Sequence, residues 1–181
     1  MARPIRTESR FAVMTRPFRL TVLAGLLAMA TMATQVPAAT QATTNTAGTN
    51  RTEAQRIVAI ARSHIGARFR LGTEGPRTFD CSGLIYRVYK QAGLLSRVGG
   101  ARRLAAGYYS YFKHRGQASR SNGKVGDLVI WTKHGHITHS GIYIGNGQVI
   151  SALVNPWGVK RTSLHGVRSH FLAFLHVNLS R

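Results

Sequence analysis

The spacing of apolar residues changes along this chain from a helical period to a strand period. Ile57, Val58 and Ala61 recur at the intervals of one helix face, whereas residues 127–152 read as short strands. Asn146-Gly147, between two such strands, is the strongest short-range signal for a β-hairpin. Helices that precede an antiparallel meander predict an α+β fold.

Three helices are predicted before the first strand of the meander. The first begins with a capping box, with Thr52 as N-cap and Gln55 at the third helical position. The second begins at Asp80 or Cys81 and ends near Gly93. A third, weaker helix covers residues 101–112. The side chains expected to face inward at the ends of the first and third helices are Ile65, Leu104, Tyr108 and Tyr111.

The strands of the meander are predicted from short β-branched and aromatic runs bounded by turn residues. The predicted strands cover residues 127–131, 140–144, 148–152, 159–162 and 171–179. Residues 67–80 and 113–124 are predicted as loops because glycine, proline and polar residues dominate them.

The first 38 residues have the pattern of a secretory signal peptide. Five arginines precede an uncharged apolar stretch over residues 20–33, and Val36-Pro37-Ala38 suits cleavage before Ala39. The apolar stretch is short for a membrane span, and an uncleaved N-terminal anchor is the alternative. We therefore expect a signal peptide at 1–38, a disordered linker at 39–51 and one folded domain at 52–181. The expected location is secreted or in the cell envelope.

The charge balance is strongly basic. The chain has 25 Lys and Arg residues against 5 acids, and residues 1–38 contain five arginines and Glu8, which leaves 20 basic and four acidic residues, a net of +16. Such a bias indicates a polyanionic surrounding. The basic residues are scattered rather than gathered in a nucleic-acid motif, and the export signal favours anionic cell-wall polymers. We expect no nucleic-acid partner, no stable membrane association after cleavage, and a monomer.

Cys81 is the only cysteine of the chain. An intrachain disulfide and a Cys-rich zinc site are therefore excluded. The thiol lies at a predicted helix start, where the positive end of the helix dipole favours the thiolate and free amides can bind an oxyanion. The alternative is a buried, inert cysteine.

His139 is the best-placed partner for this thiol among eight histidines. It opens a predicted strand, where a sheet can hold it rigidly against a helix terminus. His134, His136 and His139 lie within six residues, so a zinc loop is a rival interpretation. No acidic residue lies nearby, and we expect no metal and no organic cofactor.

Three sequence blocks resemble the NlpC-type cell-wall peptidases, which are papain-like cysteine hydrolases of bacteria. These blocks are Phe-Asp-Cys-Ser-Gly-Leu at 79–84, Gly-Asp-Leu at 126–128 and His-Ser-Gly-Ile-Tyr-Ile-Gly-Asn-Gly at 139–147. They occur in the family's order and spacing, and the similarity covers about residues 52–162. The resemblance implies a papain-like domain over 52–181, with helices that carry the cysteine packed on an antiparallel sheet that carries the histidine.

The resemblance also implies roles for individual residues. Cys81 matches the family's nucleophile and His139 its general base. Asp80 and Ser82 match positions that help to hold the substrate peptide. Ser151 occupies the third catalytic position, where the family usually has His, Asn or Gln. A serine can orient the imidazole but carries no charge, and Ser151 as a plain strand residue is the alternative.

Other positions depart from the family's pattern. Phe69 and Leu71 replace a common Tyr and Trp, and Leu95-Ser96-Arg97 stands where Leu-Pro-Arg is usual. Phe69 lacks the hydroxyl that contributes to recognition of a free N-terminal alanine in some members. These differences favour an enzyme that cuts intact wall over one that recycles free peptides.

The resulting expectation is a secreted peptidoglycan hydrolase. It would cleave stem peptides, with the bond between γ-D-glutamate and a diamino acid as the family's frequent target. Two alternatives stay open at this point: a wall-binding module without catalysis, and an N-acetylmuramoyl-L-alanine amidase that uses the same Cys-His pair.

Overall fold

The computed structural model describes residues 51–181. The expected signal peptide and all but the last residue of the expected linker lie outside this part of the chain. The described part contains three α-helices and a six-stranded antiparallel sheet, so the predicted α+β fold is confirmed. None of these helices is long and apolar enough to span a bilayer.

Helix α1 (Glu53–Ser63) starts as the sequence predicts and ends earlier. The Thr52 side chain accepts a hydrogen bond from the Gln55 backbone amide, and the Gln55 side-chain oxygen accepts one from the Thr52 backbone amide, which completes the capping box. Ile65 is 46% exposed, so the prediction that it faces inward is wrong. The helix has already ended there, and Gly66 turns the chain with a φ of +93°.

Helix α2 (Cys81–Gln91) starts at the predicted cysteine, with Asp80 as its N-cap. It buries an apolar face that includes Leu84, Ile85 and Val88. Gly83 allows its first turn to approach the preceding loop, because a Cβ at this position would overlap the carbonyl oxygen of Thr73. The glycine after Cys81-Ser82 is thus required by close packing.

Helix α3 (Ala105–Lys113) is shorter than predicted. Its N-cap residue is Leu104, whose side chain is 71% exposed rather than inward. Tyr108 is buried as expected, and Tyr111 is half-buried with the guanidinium group of Arg115 over its ring. A short 3-10 helix (Leu95–Val98) lies between α2 and α3.

The main sheet has the strand order β3-β8-β4-β5-β6-β7. Strands β4 to β7 form the predicted meander, and β8 returns to pair with β4. Asn146 and Gly147 have φ values of 51° and 68°, so the predicted hairpin turn is confirmed. The strands are β3 (Ala118–Ser119), β4 (Leu128–Lys133), β5 (His136–Gly145), β6 (Gln148–Leu153), β7 (Gly158–Ser163) and β8 (His170–Leu175). The predicted loops contain short strands: β3, and the parallel pair β1 (Arg68–Phe69) and β2 (Thr78–Phe79).

The two faces of the sheet bury different clusters, because successive side chains of a strand point to opposite faces. Ile130, Ile142 and Ile150 belong to the main core, which the helices cover. A smaller core lies on the other face and includes Trp131 and Phe174. The Trp131 indole also donates a hydrogen bond to the Leu164 carbonyl, 2.9 Å away.

Strand β8 ends at Leu175, whereas the sequence predicts a strand up to residue 179. The last two residues of the chain bind to other parts of the domain. The Ser180 amide donates to Glu53 Oε2 at 2.9 Å, and the Ser180 carbonyl accepts from the Ala54 amide at 3.1 Å. Arg181 Nη2 lies 2.8 Å from Oδ1 of the fully buried Asp127. We call these contacts of Ser180 and Arg181 the terminal clasp.

Candidate active site

Cys81 is the first residue of helix α2 and is partly exposed. The β-strand conformation ends at Phe79, and Asp80 then caps the helix, so the chain turns sharply just before the thiol. The Cys81 amide is at the first helical position, where a backbone N–H has no intrahelical partner. The predicted position of the thiol at a helix start is therefore confirmed.

Asp80 connects the start of α2 to two neighbouring segments. Its Oδ1 accepts hydrogen bonds from the Gly83 amide at 2.6 Å and the Ser82 hydroxyl at 2.9 Å. Its Oδ2 accepts from the Gly72 amide and from Arg102 Nη2, both at 2.7 Å. Four donors thus hold one buried carboxylate, which fixes the helix start against the preceding loop.

The ionisation of Asp80 follows from these contacts. Burial acts to raise the pKa of the carboxyl, but the hydrogen bonds from Gly83, Ser82 and Gly72 and the charge of Arg102 outweigh it, so the pKa is lowered. Asp80 and Ser82, expected to hold substrate, are both buried and bonded to each other. Their observed contacts position the helix, and a direct contact with substrate stays a prediction.

Ser140 on β5 is the strand residue that approaches the thiol. Burial raises the pKa of the Cys81 thiol, and the hydroxyl and amide of Ser140 oppose this shift without cancelling it. The contact falls short of a full hydrogen bond, because Ser140 Oγ is buried without a partner. Burial is the largest influence on the Cys81 thiol, so its pKa moves in the direction opposite to the thiolate that the helix dipole favours.

His139 lies within strand β5 rather than at its start, next to Ser140. Its imidazole is tilted against the Trp131 indole, with 5.2 Å between the ring centroids. Burial lowers the pKa of His139 to about 4, so the ring is neutral at neutral pH. Within residues 51–181, no hydrogen bond joins this ring to the thiol, and Nε2 is buried without a partner. The fold thus brings strand β5 to the thiol through Ser140, whereas the His139 ring packs against Trp131 of the smaller core. Burial disfavours the charged form of both Cys81 and His139.

Ser151 lies on β6 beside Gly141, the residue two places beyond His139. A Cβ added at Gly141 would lie 3.0 Å from the Ser151 Cβ, so the two positions face the same side of the sheet. Ser151 is fully buried, and its Oγ has no hydrogen-bond partner in the described part of the chain. A role in orienting His139 stays a prediction.

His134 and His136 lie exposed near the β4–β5 turn. Across residues 51–181, no group of three or more His, Cys, Asp or Glu side chains is arranged to hold a metal ion. The rival interpretation of a zinc loop at His134, His136 and His139 therefore has no support in the geometry.

Two residues near the thiol were missed by sequence reasoning. Ser140 precedes Ile142 and Ile144 on the core-facing side of β5. A polar residue at an apolar position of this alternation indicates a candidate site residue. Arg102 lies 22 residues from Asp80 in the sequence, and no local pattern indicates their contact. Arg97, which belongs to the Leu95-Ser96-Arg97 segment that departs from the family's pattern, pairs with Glu53 at 3.4 Å.

Comparison with known proteins identifies the family of this chain. The model of the NlpC/P60 family matches residues 66–175. The "Probable endopeptidase p60" of Listeria monocytogenes is 40% identical over 111 residues, which are 61% of this chain and 21% of that protein. The "Murein DD-endopeptidase MepH" of Escherichia coli is 33% identical over 125 residues, which are 65% of this chain and 44% of that protein.

A solved structure also matches the fold. The NlpC/p60 domain of the peptidoglycan hydrolase SagA has a TM-score of 0.52 and 30% identity, and the match covers 67% of this chain and 97% of that domain. By contrast, the match spans less than half the length of either curated relative. Since the family model covers more than half of the chain, this protein belongs to the NlpC/P60 family and has its papain-like α+β fold.

Proposed function

We propose that this protein is a peptidoglycan endopeptidase, with Cys81 as nucleophile and His139 as general base. The observation that carries the proposal is the partly exposed thiol at the start of α2, beside the strand that holds His139. Membership of the NlpC/P60 family and relatives named as endopeptidases support it.

The resting protonation states favour general-base catalysis over a preformed ion pair. The thiol is protonated and the imidazole neutral at neutral pH, because burial disfavours both charged forms. His139 therefore takes the thiol proton as the sulfur attacks the peptide carbonyl. Hydrogen bonds of this kind often become short only in the substrate complex, so we place their formation at substrate binding.

The remaining steps follow from covalent catalysis. Attack forms a carbon–sulfur bond and an oxyanion, which the Cys81 amide stabilises at the helix start. The carbon–nitrogen bond then breaks, and the leaving amine takes the proton from His139. Water attacks the thioester with His139 again as base, and the products are a carboxylate and the free thiol.

The substrate we propose is the stem peptide of intact wall, cut between γ-D-glutamate and the diamino acid. The Escherichia coli relative MepH is named a murein DD-endopeptidase, and that activity is one of the alternatives tested below. The net charge of +16 after residue 38 fits an enzyme that works on an anionic polymer outside the cell. Export by the N-terminal signal peptide is part of the same proposal.

Digestion of purified peptidoglycan, with mass spectrometry of the released fragments, tests the proposal. We expect soluble fragments with a new amine on the diamino acid and a new carboxyl group on glutamate. The Cys81→Ser and His139→Ala variants should release none, although both should fold as the parent does by circular dichroism. Undiminished release by Cys81→Ser would overturn the mechanism.

The same experiment separates the alternatives. Free muramic acid carboxyl groups would identify an amidase, and cut cross-links would identify a DD-endopeptidase. Binding to the polymer without any released fragment, in parent and variants alike, would identify a wall-binding module.

A further inference from the structure

A basic cleft lies at one end of the sheet, apart from the thiol. It has a volume of about 610 Å³ and is lined by segments from three places in the chain. Arg120 follows β3, Lys133 ends β4, and Arg168 comes from the β7–β8 connection. His134, His165 and His170 complete the polar lining. The sheet order brings these distant segments together, because β3, β8 and β4 are neighbours.

The three cationic side chains of the cleft are exposed, and one of them lies near an aromatic ring that also lines the cleft. Arg120, Lys133 and Arg168 are all solvent-exposed. The Arg120 guanidinium lies 5.9 Å from the centre of the Phe171 ring, which belongs to the apolar floor of the cleft. A guanidinium group that approaches an aromatic ring in this way makes no hydrogen bond to it through its edge, so its N–H donors stay available to an anion. The cleft therefore presents donors and positive charge to solvent.

No acidic side chain of the described domain balances this charge. All four acids of residues 51–181 are engaged with other cations, and none of them lines the cleft. Glu53 pairs with Arg97, Glu74 and Asp80 pair with Arg102, and Asp127 pairs with Arg181 and His176. An anion from outside this domain is the natural partner for the cleft.

We propose that this cleft binds phosphate groups of an extended polyanionic chain, such as a phosphodiester polymer outside the cell. Arginine donates to phosphate in a bidentate manner, and lysine adds a point charge. The volume is that of a pocket for an organic ligand rather than for a single ion, so it accommodates consecutive phosphate units. The site is independent of Cys81 and goes beyond the proposed peptidase activity.

The cleft lies close to the level of His139 along the sheet. Trp131 pairs with His139, and Thr132, the next residue of β4, pairs with His170 at the cleft. Neighbouring strands lie about 4.8 Å apart, and β8 and β5 lie on either side of β4, so a chain in the cleft at His170 passes about 10 Å from the backbone of His139. Binding there would hold the enzyme on the wall while the thiol acts on a neighbouring peptide.

Binding of fluorescently labelled inorganic polyphosphate tests the proposal. The triple variant Arg120→Gln, Lys133→Gln and Arg168→Gln should lose affinity by about tenfold to a hundredfold and show a weaker dependence on salt. The control removes the same charge from exposed sites elsewhere, with Arg56→Gln, Arg62→Gln and Arg161→Gln. We expect this control to keep its affinity within about threefold, since it loses only long-range attraction.

Three outcomes would overturn the proposal. The first is an equal loss of affinity in the cleft variant and the control. The second is equally tight, cleft-dependent binding of poly-L-glutamate, which would show no preference for phosphate. The third is binding of phosphatidylglycerol vesicles without binding of soluble polyphosphate, which would indicate a membrane surface. An inactive peptidase that still binds polyphosphate through the cleft would refute the proposed function and support this inference.

Discussion

The uncharged state of Cys81 and His139 is the residue-scale property with the clearest chemical consequence. Both groups are desolvated, and neither gains a full opposite charge as a partner within the described residues. A resting thiol is less prone to oxidation than a thiolate. Under the proposed mechanism, Cys81 reacts only when bound substrate allows His139 to take the thiol proton.

Alkylation of Cys81 by iodoacetamide measures this state directly. Because the pKa of the thiol is raised, we expect alkylation at pH 7 to be slower than that of glutathione. The rate should rise about tenfold per pH unit, in step with the thiolate fraction. The Ser140→Ala variant loses a hydroxyl that opposes the pKa shift, so it should react still more slowly. Alkylation of the folded protein faster than glutathione would instead show a resting ion pair.

Replacement of Ser151 tests whether this residue is needed to orient His139. Ser151 Oγ is buried without a partner, so Ser151→Ala removes a hydroxyl that costs desolvation and gains no hydrogen bond in return. We expect unchanged or slightly higher thermal stability and a measurable share of the peptidase activity. Matched melting curves and fragment release against parent and His139→Ala would check both points. Complete loss of activity in a stable Ser151→Ala protein would establish Ser151 as essential.

At this scale the sequence predicts residues that follow local rules. Cys81 and His139 stand in short, recognisable blocks, and their setting at a helix start and on a strand follows from capping and alternation. The protonation states were not predictable, since burial depends on segments that come together only in the folded chain. The same is true of Arg102, whose contact with Asp80 joins two loops.

At the scale of elements, helix α2 depends on the carboxylate of Asp80. One side chain caps the helix, holds the Gly72 loop and pairs with Arg102. Ion pairs count for little at a surface, but this carboxylate is only 4% exposed. Its removal leaves the Arg102 cation, two backbone amides and the Ser82 hydroxyl without their acceptor.

We expect Asp80→Ala to lower the free energy of unfolding by about 2–4 kcal/mol in urea titrations. Asp80→Asn keeps an acceptor for the Gly83 amide and should lose less. Because the pKa of Asp80 is lowered, its stabilisation is present above the ordinary value of 3.8 and is lost as the pH falls through the folded value. The gap between parent and Asp80→Asn should therefore narrow below about pH 4. A constant gap would contradict the role of the charge.

The types of the elements were predictable, and their ends less so. The meander and the capping box follow from period and turn chemistry, and both are confirmed. Helix α3 starts four residues later than predicted, because residues 101–103 are not helical and Leu104, with an extended backbone, is the N-cap. The short strands β1 and β3 lie in segments without apolar runs, and only their partners in the sheet define them.

At the scale of the whole molecule, the buried His139 makes the fold sensitive to acid. Its imidazole has a pKa of about 4 in the folded state against an ordinary value of 6.5. Between these values the unfolded chain binds a proton that the folded chain does not, so stability falls as the pH drops from 6.5 to 4. The loss attributable to this group is up to about 3 kcal/mol.

Unfolding in urea across this pH range tests the point. The His139→Gln variant lacks the titrating ring, so its stability should change less between pH 6.5 and 4 than that of the parent. The comparison uses slopes, because the variant can differ from the parent in stability at pH 7. Parallel slopes would show that other groups cause the acid sensitivity.

The terminal clasp has a consequence for how the fold is encoded. Ser180 and Glu53 are 127 positions apart in the sequence, yet they are hydrogen-bonded. The first helix and the C-terminal residues of the domain are thus neighbours in space. A circular permutant, with residues 181 and 52 joined by a short peptide and new ends at the exposed Asn146-Gly147 turn, should adopt the same structure. The fold then depends on which helices and strands contact one another, and it does not depend on their order along the chain.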